Sequence, residues 1–93
     1  MTEASCIFCK IVSGDIAADI ISESTNTVAF RDIAPLSKVH ILVVPKKHYK
    51  NVVELSDSSP AVLGELMKEA TSLAKANTNG SFKLQFNTGA EAG

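Results

Sequence analysis

With 93 residues, a net charge of −1, 45% apolar and 20% charged side chains, the chain has the size and composition of one small globular domain spanning residues 1–93, not of a disordered segment. Its lysines and arginines are scattered, which argues against nucleic acid or an anionic membrane as partner, and its longest apolar run, Ile41–Pro45, is far too short to span a bilayer. Residues 1–5 lack the basic and hydrophobic regions of a signal peptide, so a cytoplasmic location is expected, where Cys6 and Cys9 would be thiols or metal ligands rather than a disulfide.

The first predicted element is a short helix. Ser5 is a candidate cap, Ile7, Phe8, Ile11 and Val12 recur at helical spacing, and Gly14 stands where the helix should stop. Ile20 and Ile21 mark a brief strand, 24–26 a turn, and 27–32 a second strand with Val28 and Phe30 on one face. Residues 40–44 are nearly all apolar and β-branched, the pattern of a central strand covered on both faces, and Pro45 ends it. The polar cluster 56–59 followed by Pro60 predicts the start of a long helix carrying Leu63, Leu66, Met67, Ala70, Leu73 and Ala74 on one side. Gly64 within it costs stability relative to alanine and suits a close helix contact if it has a role. Residues 77–80 end that helix. Phe82, Leu84 and Phe86 then alternate with Lys83 and Gln85, as in a half-exposed antiparallel strand. A glycine-bearing turn follows it, so a partner strand is expected after Gly93, and the chain reads as interrupted.

Several residue sets carry possible chemistry. Cys6 and Cys9, at i and i+3, face the same side of a helix and can share a zinc ion, with His48 in the polar loop after 41–45 as a third ligand. Packing as two small buried hydrophobes is the competing reading. A redox CxxC should follow a strand in a βαβ unit, and none is predicted before Cys6. His40 reads as a hydrogen-bonded core histidine. Asp32 is placed either to bind a ligand or to cap a turn, and Lys46, Lys47 and Lys50 either to meet phosphate or to be solvated. Asn87 and Gly89 form either a backbone anion site or an ordinary loop. No Ser/His/Asp set, HExxH, P-loop or GxGxxG is present.

Four stretches together resemble the histidine-triad (HIT) family, in particular its Hint-type branch: Cys6-Ile7-Phe8-Cys9-Lys10-Ile11, Phe30-Arg31-Asp32-Ile33-Ala34-Pro35, the run from His40 to His48, and Phe86-Asn87-Thr88-Gly89. They occur in the family's order and spacing over nearly the whole chain. The resemblance implies an α+β fold, a HIT-like antiparallel sheet with one long and one short helix and the last strand missing, assembled as a homodimer. It implies binding of a purine nucleoside monophosphate or phosphoramidate. Ile7, Phe8, Ile11, Phe30 and Ile33 match positions that sandwich the base, and Asp32 the carboxylate that accepts hydrogen bonds from the ribose. Asn87 matches a polar residue near the phosphate, and Gly93 closes the loop counted with it among the nucleotide-binding positions. Cys6, Cys9 and His48 match zinc ligands of bacterial members. The family hydrolyses or transfers at the α-phosphorus through a nucleotidyl-histidine intermediate formed on an H-x-H-x-H segment. That segment would lie beyond Gly93, so no catalytic residue is assigned and the 93 residues are expected to be inactive. A non-catalytic nucleotide-binding protein and a zinc-stabilised structural remnant are the alternatives.

Overall fold

The computed structural model describes residues 6–31 and 39–88. Helix α1 (Ile7–Ser13) is capped by Cys6, whose extended backbone lets its Sγ accept a hydrogen bond from the Cys9 N–H at 3.4 Å. The cap therefore falls one residue later than Ser5, which lies outside the described residues; the capping atom must reach the third helical N–H, and Cys6 does. Gly14 closes the helix with φ 89°, a left-handed conformation that glycine adopts without a Cβ clash.

Strands β1 (Ile20–Glu23), β2 (Thr27–Arg31) and β3 (Ile41–Pro45) form an antiparallel sheet in the order β1-β2-β3. Val28 pairs with Val44 and Phe30 with Leu42, while the β1–β2 register shifts between Ile20 and Ser22. This corrects the sequence expectation for the sheet's centre. Among the described residues β2 is the central strand, with four consecutive buried residues (27–30), and β3 is an edge strand of half-buried residues. Apolarity misled because it measures how much burial a segment favours, whereas strand order depends on which ladders form. Small Ala29 and hydroxyl-bearing Thr27 lie under close neighbours without being strongly apolar.

A second short helix, α2 (Val52–Ser58), was not predicted, and the expectation of one long and one short helix is corrected accordingly. Its serines and aspartate have modest helix propensity and read as the cap region of the next helix. Local caps overcome that weakness: Asn51 Oδ1 accepts from the Glu54 N–H at 3.0 Å, and the Glu54 carboxylate reaches back to the Lys50 N–H. Leu55 is buried, and α2 packs on α3 (Pro60–Asn77). Ser59 joins the two helices, with Pro60 at the first position of α3 as the sequence predicts. Thr78 caps its end, and Gly80 turns the chain at φ 106°. A Cβ added to Gly64 would meet nothing within 4 Å, so no close helix contact explains that glycine.

α3 lies against β2 and β3. Two carboxylates one turn apart fasten it to the β1–β2 hairpin. Glu65 accepts from the Ser24 hydroxyl, the Asn26 N–H (2.8 Å) and the Asn26 amide (3.1 Å), and Glu69 from the hydroxyls of Ser22 (2.9 Å) and fully buried Thr27. The apolar core is small: Cys9, Val28, Ala29, Phe30, Leu55 and Leu66. Residues 81–88, expected to form a strand, belong to no element and are exposed. A strand is maintained by its ladder, and this segment has no ladder partner among the described residues. No helix among the described residues is long and apolar enough to cross a membrane.

Candidate functional site

Three side chains meet where the start of α1 faces the loop leaving β3. Cys6 and Cys9 come from one turn of α1, and His48 follows Pro45, Lys46 and Lys47. Their ligand atoms all lie within 4.8 Å of one another, with Cys9 Sγ 3.2 Å from His48 Nδ1. The loop that presents His48 is held on both sides. Before it, the Lys46 N–H donates to Asn26 O at 2.8 Å and Lys46 Nζ pairs with Glu23 at 2.6 Å. After it, the Tyr49 hydroxyl donates to Ser59 Oγ at 2.9 Å, and Lys47 Nζ stands 5.7 Å from the Tyr49 ring centroid.

Two sulfurs and an imidazole nitrogen are the donors that borderline-soft zinc prefers, and their convergence fits such a cation. Three members make up the cluster among the described residues. Desolvation pushes the Cys6 thiol up, but hydrogen bonds from the Cys9 N–H, the Cys9 side chain, the His48 ring and the Phe8 N–H together hold it below the ordinary thiol value. Beside the cluster is a cavity of about 290 Å³ whose walls include Phe8, Val43, Tyr49, Leu55, Leu66 and Phe86.

Of the residues expected at a nucleotide, Ile7 (55% exposed) and Phe8 (42%) project from α1, and Ile11 is half-buried. Phe30 is a core residue rather than an open wall; its ring lies 6.3 Å from that of Phe8, tilted by 38°. The structure thus brings Phe8 and Phe30 together beside the cysteines. Asn87 is exposed and accepts from the Gln85 amide at 2.9 Å, directly after cavity-lining Phe86. Asp32, Ile33 and Gly93 lie outside the described residues. Sequence reasoning missed Tyr49 and Ser59 as supports of the His48 loop; the adjacency of Tyr49 to His48 was the only available signal.

Residues 5–93 match the family profile described as "Scavenger mRNA decapping enzyme C-term binding". Protein HitA of Neisseria gonorrhoeae is 36% identical over 91 residues, covering 96% of this chain and 84% of HitA. A histidine-triad protein from Clostridium difficile superimposes with a TM-score of 0.90 at 33% identity, over 100% of this chain and 83% of that one. The chain belongs to the histidine-triad family. Its α+β arrangement is the HIT-like fold. Another HIT relative, the adenosine 5'-monophosphoramidase hnt1 of Schizosaccharomyces pombe, is 52% identical over 67 residues, or 72% of this chain. The matched region spans half the length of that relative.

Proposed function

We propose that this HIT-family chain binds a purine nucleoside monophosphate or its phosphoramidate, in the manner of the family's nucleotide hydrolases and transferases. The observation that carries this reading is the exposed ring of Phe8, tilted against the ring of Phe30 beside the cysteine–histidine cluster, with exposed Ile7 next to it in the chain. An exposed ring braced by a second aromatic suits the flat π face of a base. The phosphoramidase named among the relatives supports the choice of ligand. Asp32 would accept from the ribose hydroxyls, and Ile11, Ile33, Asn87 and Gly93 would complete the pocket. The 93 residues contain two histidines, His40 just before β3 and His48 in the cysteine cluster, and no H-x-H-x-H. Nucleotide binding is therefore the part of the family's activity proposed for residues 1–93.

Cys6, Cys9 and His48 would hold zinc, which would supply cross-linking of α1 to the loop after β3 rather than chemistry on the substrate. Cytoplasmic location and homodimer formation are proposed with it, on the reducing environment that two thiols favour and on family membership. Calorimetric titration with adenosine monophosphate tests the nucleotide reading: Phe8→Ala should weaken binding about tenfold, the scale of one aromatic contact. Wild-type protein that fails to bind at millimolar nucleotide would sink it.

A further inference from the structure

The two cysteines differ in a way that neither packing nor nucleotide binding uses. Cys6 is half-buried at the head of α1, whereas Cys9, one turn inward, is only 5% exposed. Their Sγ atoms lie within 4.8 Å of each other, near enough for side-chain rotation to bring them to bonding distance. Cys6 also has an extended backbone (φ −92°, ψ 120°), so its side chain folds back over the first turn toward Cys9 instead of following helical rotamers. The hydrogen bond from the Cys9 N–H to Cys6 Sγ records that direction.

We propose that Cys6 and Cys9 form a peroxide-sensitive thiol pair whose oxidation to a disulfide unties α1 from the His48 loop. Cys6, the sulfur nearer solvent, attacks one oxygen of hydrogen peroxide; the O–O bond breaks, giving Cys6 sulfenic acid and one water. Cys9 Sγ then attacks Cys6 Sγ. The S–O bond breaks, and the departing hydroxide leaves as a second water with the Cys9 proton. Two thiols and one peroxide become one disulfide and two waters. Proximity favours this second step over attack by another peroxide, because the resolving sulfur is already within one helical turn.

The oxidised pair has no S–H to donate and no thiolate charge to offer His48, which weakens the 3.2 Å contact between Cys9 and His48. The loop keeps its outer anchors at Lys46 and Tyr49, which makes the change a local opening rather than unfolding. This is a stoichiometric thiol pair, not a disulfide-exchange catalyst, so the absence of a predicted strand before Cys6 does not bear on it. The inference does not rest on the nucleotide reading, and zinc would compete for the same two sulfurs, so the metal-free protein decides it.

The full chain, metal-free and zinc-loaded in parallel, is treated with equimolar hydrogen peroxide, alkylated with iodoacetamide and weighed. The expected product has lost about 2 Da, has both thiols protected from alkylation, and returns to the reduced mass with dithiothreitol. Trypsin should cut after Lys47 or Lys50 faster in the oxidised form. Cys9→Ser should stop at a Cys6 adduct, and Cys6→Ser should resist peroxide. Addition of about 32 Da at Cys6 in the wild type, a covalent dimer through Cys6, or unchanged tryptic rates in fully oxidised protein would each overturn the proposal. Failure to load zinc removes the zinc reading alone, since the metal-free arm decides the thiol chemistry.

Discussion

The hairpin end of the molecule and its cysteine end are both polar clusters that join a helix to the sheet or its loops, yet they are built from opposite hydrogen-bonding inventories. At the hairpin end, hydroxyls, an amide and a backbone N–H all donate to the carboxylates of Glu65 and Glu69. Donors and acceptors balance, so the cluster is complete within the chain. At the cysteine end, lone pairs of Cys6, Cys9 and His48 converge within 4.8 Å. Sulfur and imidazole nitrogen are softer donor atoms than carboxylate oxygen, and once deprotonated they suit a cation. Balanced inventories describe a structural clamp, whereas converging lone pairs mark the candidate site.

The largest effect that would sharpen this contrast is at the cysteine end. If the cluster holds zinc, a strong chelator should lower Tm, because a metal present at roughly a thousand times its Kd stabilises by about 4 kcal/mol. Cys9→Ser should abolish stoichiometric zinc in metal analysis and remove the chelator's effect. A Tm indifferent to both would make the cysteine end ordinary packing and erase the difference between the two regions.

At the hairpin end, Glu69→Ala leaves the fully buried Thr27 hydroxyl without its carboxylate and should cost about 1–3 kcal/mol in chemical denaturation. Adding Thr27→Val should recover part of that loss, since the buried polar group is then gone. Additive losses would show that the pair does not act as a clamp.

The smallest effect is pH-dependent. Hydrogen bonds from Ser24, then from the Asn26 N–H and side chain, outweigh desolvation and, with the Lys46 charge, hold the Glu65 carboxyl below its usual value. A depressed folded pKa means that the ionised form is favoured by folding. The contribution is thus fully present above the unfolded glutamate value and is lost as pH falls through the lowered folded one. The Tm difference between wild type and Glu65→Gln should accordingly be constant near neutrality and shrink in acid below the normal glutamate range. A difference that grows on acidification would contradict the assigned bonds.

Much of the site was legible because its signals are local. Cys6 and Cys9 share a helix turn by spacing alone, Gly14 and Pro60 mark helix limits through their own backbone preferences, and His48 follows a strand that Pro45 ends. Helix α2 was less legible, although Asn51 and Glu54 stand at cap spacing, because its last residues look like another helix's cap. Phe82, Leu84 and Phe86 alternate as a strand should, but alternation describes a face and cannot provide a ladder. The carboxylates of α3 read as a solvated face because their partners are about forty residues away along the chain; Glu69 to Thr27 spans 42.

The amino-acid order by itself therefore determined the helix ends, the hairpin turn, the pairing of two cysteines on one helix face and the motifs that mark the HIT family. Each depends on backbone preference or on spacing within a few residues. Only the tertiary structure decided that β2 lies at the centre of the described sheet, that Glu65 and Glu69 grip the hairpin, and that His48 reaches within 3.2 Å of Cys9. Those outcomes require distant segments to choose one another. That choice is made by packing and by the need to satisfy buried polar groups, which no local pattern records.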